Sequence, residues 1–158
     1  MSRKTFLTEY LNKLTEVVRT GDAREESFYP ALADLVREVA LATGRSHIQV
    51  TILPRPTEAG NPDFRVWDGV GHIVGYIEAK NPVEENLDRV EASEQLQRYL
   101  ATFPNLMLTN FLEFRLYRDG RRVATARLAR PFILTGLRTT PPVESPDALW
   151  TLLDQFLQ

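Results

Sequence analysis

A chain of 158 residues without a single cysteine is about one domain long, enough to bury roughly two thirds of its unfolded surface without disulfides or a structural metal. Its 43% hydrophobic and 25% charged residues are those of an ordinary folded protein and exclude wholesale disorder, collagen-like repeats, disulfide frameworks, thiolate zinc sites and cysteine nucleophiles. A formal net charge of -2 argues against a protein that holds nucleic acid by being basic throughout.

The N-terminus MSRKTFLTEY has no apolar run with a cleavage site, and no segment approaches the roughly 20 apolar residues of a membrane span, so the expected location is the cytoplasm. The charge itself is uneven. Residues 1–113 carry 12 Lys+Arg against 17 Asp+Glu, residues 114–138 carry 7 Arg against 1 Asp, and residues 139–158 carry 3 acids and no base. The middle, basic segment suits either a solvated face or a surface that follows a phosphate backbone.

In chain order, Phe6, Tyr10, Leu11, Leu14, Val17 and Val18 recur at helical spacing until Gly21 breaks the pattern. A second helix is predicted from about Glu25 and Glu26, with Phe28, Ala31, Leu32, Leu35, Val36 and Val39 on its apolar stripe and Gly44 just past its end. The period then changes. Residues 47–53 are β-rich, 54–62 read as a loop, 64–67 as a short strand, Asp68-Gly69 as a turn and 72–79 as the best strand of the chain.

Asn81-Pro82 opens a polar connection to a predicted helix over 89–102, followed by strands at 106–109 and 113–118. Asp119-Gly120 joins the latter to 122–128 as a hairpin. Pro141, Pro142 and Pro146 set off a last helix, 147–157, within a 139–158 linker and helix. The result is one α/β domain over 1–158, a mixed central sheet flanked by two N-terminal helices and a C-terminal helix.

The residues most suggestive of chemistry are Asp63, Glu78 and Lys80. Alternation along a strand sends Glu78 and Lys80 to one face and Ile77 and Ala79 to the other. A hairpin turning near residues 69–71 pairs numbers that sum to about 140, which sets Asp63 beside Ile77 and Glu78. Two adjacent carboxylates repel unless one is protonated or a cation lies between them, and Mg²⁺ takes one or two carboxylates plus waters and phosphate oxygens. Such a set suits phosphodiester hydrolysis by a metal-activated water, with Lys80 positioning that water or offsetting charge. An exposed strand pair and a loop-capping Asp63 are the plainer alternative. Gln95 and Tyr99, four apart, share one face of the predicted helix.

Pro62-Asp63, Glu78-Ala79-Lys80 and Gln95-x-x-x-Tyr99, in that order, resemble the PD-(D/E)xK nuclease superfamily. Through EESFYPAL, GYIEAKNP, EQLQRYL and LMLTNFLEFRLYRDG, residues 5–157 more closely resemble the N-terminal nuclease domain of single-chain restriction-modification enzymes, the type ISP and type IIG groups. The resemblance implies a restriction-endonuclease-like mixed sheet, Asp63 and Glu78 as ligands of Mg²⁺ (or of Mn²⁺ in its place), Lys80 as the catalytic lysine, and Gln95 and Tyr99 as accessory groups. It also implies a helix glutamate, best matched by Glu25, which would equally serve as a favourable first-turn acid.

Double-stranded DNA is the implied substrate. Methyltransferase, target-recognition and helicase-like parts of a larger protein are the implied partners, this chain being a fragment or a detached domain. Arg115, Arg118, Arg121, Arg122 and Arg127 are candidates for the DNA backbone or for an exposed strand face. His47 and His72 suit exposed or structural positions, and Trp67 and Trp150 suit packing. A catalytically silent DNA-binding or assembly module of the same fold, and a soluble interaction domain whose basic stretch meets an acidic partner, are the competing readings.

Overall fold

The computed structural model describes residues 2–84, 86–129 and 143–158. Helix α1 spans Arg3–Arg19, opened by the Ser2 hydroxyl, which accepts from the Thr5 N–H at 3.1 Å. A single 3₁₀ turn, Glu25–Phe28, leads into α2, Tyr29–Ala42, with Pro30 in its first turn, where a missing N–H costs no helical bond. Beyond α2, Gly44 takes φ +79° and the Arg45 N–H returns to the Ala40 carbonyl at 2.7 Å, which closes the helix end.

Six strands follow in sequential order: β1 (Gln49–Ile52), β2 (Phe64–Trp67), β3 (Ile73–Ala79), β4 (Asn105–Thr109), β5 (Glu113–Arg118) and β6 (Arg121–Arg127). Every neighbouring pair is antiparallel except β3 and β4, which run parallel. A parallel pair needs a crossover, and α3 (Leu87–Glu91) and α4 (Glu94–Thr102) provide it. The expected single helix over 89–102 is thus two. Asn86 caps the first, accepting from the Arg89 N–H at 3.3 Å, and Ser93 caps the second, accepting from the Leu96 N–H at 3.2 Å. A serine between two short amphipathic turns serves better as a cap than as a helical residue.

Side-chain alternation divides the apolar residues between two cores. Phe64, Val66, Ile77, Met107, Phe114 and Leu116 are fully buried on one face, against α1, α2 and the last helix, α5 (Pro146–Phe156). Leu106, Leu108 and Tyr117 face the other way, against Leu87, Leu96, Tyr99 and Phe103 of the crossover. The sheet is a mixed one flanked on both faces, the class that the sequence predicts.

Asn105 ties α5 to the sheet by donating to the Val74 and Phe156 carbonyls at 2.9 and 2.7 Å. Gly75 leaves room for this arrangement, since a Cβ there would come within 2.8 Å of the Asn105 carbonyl and of the Phe156 ring. The predicted Pro141-Pro142 boundary lies outside the described residues. Among those described, no helix is long and apolar enough to cross a membrane.

Candidate active site

The register of β2 on β3 decides whether the two sequence-predicted carboxylates meet. Phe64 stands opposite Ile77, Arg65 opposite Tyr76 and Val66 opposite Gly75, with a bulge only beyond Val66. One step further places Asp63 opposite Glu78, and residues directly opposite share a face. The Leu53 N–H extends the β1–β2 ladder to the Asp63 carbonyl at 2.8 Å, and the Asp63 Oδ2 accepts from the Ala79 N–H at 2.8 Å. The aspartate is therefore held at both its backbone and its carboxylate.

Glu78 is almost sealed from solvent, 3% exposed. Its Oε2 accepts from the Lys80 Nζ at 3.3 Å, while its Oε1 is buried without any hydrogen-bond partner. Burial, and then the Asp63 charge, push its carboxyl up to about 8, with Lys80 opposing them. The Lys80 N–H donates to the Thr109 carbonyl at 2.8 Å and continues the parallel β3–β4 pairing, so the ammonium stands at the carboxyl end of these strands. Lys80 remains partly open to solvent.

Tyr99 of α4 is fully buried, with its ring against Gly60, where a Cβ would approach the ring and hydroxyl to 3.3–3.4 Å. Its hydroxyl lacks a well-formed partner, and burial followed by the Glu78 and Asp63 charges raises it to about 12. Gln95 lies one turn earlier on α4 and is half-buried. Asp63, Glu78, Lys80 and Tyr99 thus converge, with Gln95 on the adjoining turn.

Glu25 reaches this group through a residue whose role the sequence did not reveal. The Tyr29 hydroxyl donates to the Glu25 Oε2 at 3.0 Å, and burial, Asp63 and Glu25 all raise its pKa, which puts the phenol between the two carboxylates. The available signal was the four-residue helical spacing of Glu25 and Tyr29. Glu26 pairs outward with Arg24 at 3.9 Å.

Among the described residues, no three or more His, Cys, Asp or Glu side chains form a group able to hold a metal ion, and Glu25 meets the site through the Tyr29 hydroxyl. The pair Asp63 and Glu78, with one oxygen orphaned in a buried position, still fits a hard divalent ion that draws its remaining ligands from water and phosphate.

The arginines correct an expectation. Arg115 does not lie on an exposed face: it is 7% exposed, with carboxylates of Glu113, Asp88 and Glu91 at 2.8, 2.8 and 3.1 Å. The crossover covers the strand face that alternation alone leaves open. Arg118 is also engaged, donating to the Asn105 Oδ1 at 2.8 Å and to the Gln155 carbonyl. Arg127 pairs with Glu113 at 2.8 Å and Arg122 approaches Glu91 at 3.7 Å, while Arg121 is exposed at the β5–β6 turn. Among the described arginines of the basic segment, Arg115, Arg122 and Arg127 thus meet acids, whereas Arg118 bonds an amide and a carbonyl and Arg121 stays in solvent.

His47 and His72 are exposed, and the latter pairs with Asp68 at 2.8 Å. Trp150 is buried 5.5 Å from Phe6, whereas Trp67 is half-exposed on the face that carries Glu78.

With two N-terminal helices, a mixed sheet, a two-helix crossover and a C-terminal helix, the fold is of the restriction-endonuclease-like α/β class. Among solved structures it is similar to the cryo-EM structure of a DrdV–DNA complex, with a TM-score of 0.70 and 19% identity. That match covers 98% of this chain and 14% of the DrdV chain. No family model and no curated relative matches the sequence.

Proposed function

We propose that this chain is a Mg²⁺-dependent DNA endonuclease domain of the restriction-modification type. The observation that carries the reading is the pairing of Asp63 with Glu78 beside Lys80, in which one Glu78 oxygen is buried and unpartnered. Without an ion, the raised Glu78 keeps a proton that it can share with Asp63, and a cation in the place of that proton would let both carboxylates ionise.

Asp63 and Glu78 would hold Mg²⁺, with Mn²⁺ able to substitute. Bound there, the ion supplies Lewis acidity at the phosphodiester and lowers the pKa of water. The protein's own groups do the rest. Lys80 keeps one N–H on Glu78 and has two left to orient the attacking water and to offset charge as the phosphorane-like transition state develops. Tyr99 and Gln95 line the adjoining helix face, where a phenol and an amide can donate to phosphate oxygens.

The DNA in the similar structure, and the small share of that chain which this one covers, support a domain that cuts while other parts of a larger protein read the sequence. Methyltransferase, target-recognition and motor-like parts are the partners that this reading expects.

The test is Mg²⁺-dependent nicking of supercoiled plasmid by the 158-residue chain, compared with Asp63→Ala and Lys80→Ala. Each substitution should lower the rate at least about 100-fold, the scale on which loss of one transition-state donor acts. Nicking that survives both substitutions overturns the assignment.

A further inference from the structure

Arg65 has an unusual environment. On β2 it stands opposite Tyr76 of β3 and opposite Thr51 of β1, on the sheet face that also carries Glu78 and Lys80. Its guanidinium lies 5.1 Å from the centre of the Trp67 ring, and Trp67 is itself held by its indole N–H donating to the Thr51 hydroxyl at 3.0 Å. On the other side, the Arg65 charge reaches the Tyr76 hydroxyl, whose ring stacks on Phe103 at 4.2 Å. A row Phe103, Tyr76, Arg65, Trp67 therefore crosses the sheet beside the candidate active site.

What this arginine lacks is an anion. Its Nε is buried with no hydrogen-bond partner. Among the described residues it is the half-buried arginine with neither a hydrogen bond nor an ion pair, whereas Arg45 pairs with Asp154 at 2.7 Å and Arg118 bonds Asn105. Stacking on an aromatic face immobilises a guanidinium and leaves its edge to bond. With Nε sealed, the two terminal nitrogens are the donors that remain, a planar fork suited to two oxygens of one phosphate.

The placement matches a phosphate next to the scissile one. Arg65 is one strand away from Glu78 and two residues along, about 8 Å between Cα atoms at ordinary strand spacings. This is comparable with the separation of neighbouring phosphates on one DNA strand.

From this geometry we infer that Arg65, stacked on Trp67, is a positioning residue that grips the DNA backbone at a phosphate adjacent to the bond to be cut. The inference rests on the nuclease reading for its ligand but on different residues. Contacts of this kind fix register without reading bases.

The test measures binding of the 158-residue chain to a short duplex in EDTA, across a series of salt concentrations, for the parent, Arg65→Ala, Arg65→Lys and, as a control, Arg3→Ala on the far side of the sheet. Arg65→Ala should weaken binding about 5- to 20-fold at low salt and flatten the dependence of log K on log salt by about 0.9, the contribution of one phosphate contact. Arg65→Lys should keep the salt slope and lose several-fold in affinity, because it keeps the charge and loses the fork. The urea midpoint of Arg65→Ala should fall only slightly, since the stack on Trp67 is lost but no bonded partner is left behind, and Arg65→Lys should keep that midpoint while losing affinity for the duplex; this separates a DNA contact from a structural role.

Equal affinity and slope for the parent and Arg65→Ala overturn the inference, and so does a parent with no affinity for the duplex. If Mg²⁺-dependent nicking persists while Arg65→Ala binds normally, this inference fails and the nuclease reading stands. If Arg65-dependent binding is present without Lys80-dependent nicking, the nuclease reading fails and the backbone contact stands.

Discussion

Replacing Glu78 with glutamine removes a carboxyl that the fold holds protonated well above its ordinary range, and the effect on stability follows from that one fact. In the unfolded chain this carboxyl titrates near 4.5, and in the folded, metal-free protein it titrates near 8. Between those values the native state binds the extra proton, so stability falls as pH rises: the contribution is fully present below about 4.5 and gone above about 8. With the side chain 4% exposed, solvent screening takes little away. The integrated loss is about 3–5 kcal/mol, with a steepest slope of about 1.4 kcal/mol per pH unit.

Glutamine mimics the protonated form and has no such titration. Glu78→Gln should therefore match the parent near pH 5 and exceed it by about 3–5 kcal/mol near pH 9, unless a divalent ion is present. Urea unfolding in EDTA at a series of pH values, read as the difference between variant and parent, cancels every titrating group that does not interact with Glu78 and reports the coupled set of Glu78, Asp63 and Lys80. A difference that does not change between pH 5 and 9 refutes the reasoning, because Glu78 would then ionise in the fold as it does in water.

Two further outcomes follow from the same geometry. Added Mg²⁺ should raise the melting temperature more at pH 8 than at pH 6, because binding must displace the Glu78 proton; at 100 times its dissociation constant the gain is about 2.7 kcal/mol, and Asp63→Asn should abolish most of it in a thermal-shift series. Arg115→Ala should cost about 1.5–3 kcal/mol in urea unfolding, the scale of a lost charged hydrogen bond, because Glu113 loses its buried partner and keeps Arg127, and Arg115→Lys should restore only part of it.

The strand pattern was largely legible because turn chemistry fixes it locally. Asp68-Gly69 and Asp119-Gly120 bracket strands whose ends at Phe64–Trp67 and Glu113–Arg118 match the expected limits. From the first of those turns the juxtaposition of Asp63 and Glu78 follows to within one residue of register. Arg115 was misread because alternation says which face a side chain takes and nothing about what lies over that face; the covering acids, Asp88 and Glu91, come from a helix 24 to 27 residues earlier in the chain. Arg65 and Trp67 escaped for a related reason, since the stack on β2 is held by Thr51 from the neighbouring strand β1. Ser93 could have been seen as a cap, but the polar and apolar residues around it continue at helical spacing and hide the break.

The Tyr29 phenol carries one proton and stands between two acids that both call for it. While it donates to Glu25, the carboxylate of Asp63 depends on the Ala79 N–H. Any shift of the 3₁₀ turn that draws Glu25 away leaves that proton to hydrogen-bond the Asp63 carboxylate instead. The short turn between the two N-terminal helices, far from Asp63 in sequence, is in this way joined through a single phenol to the carboxylate at the end of the sheet.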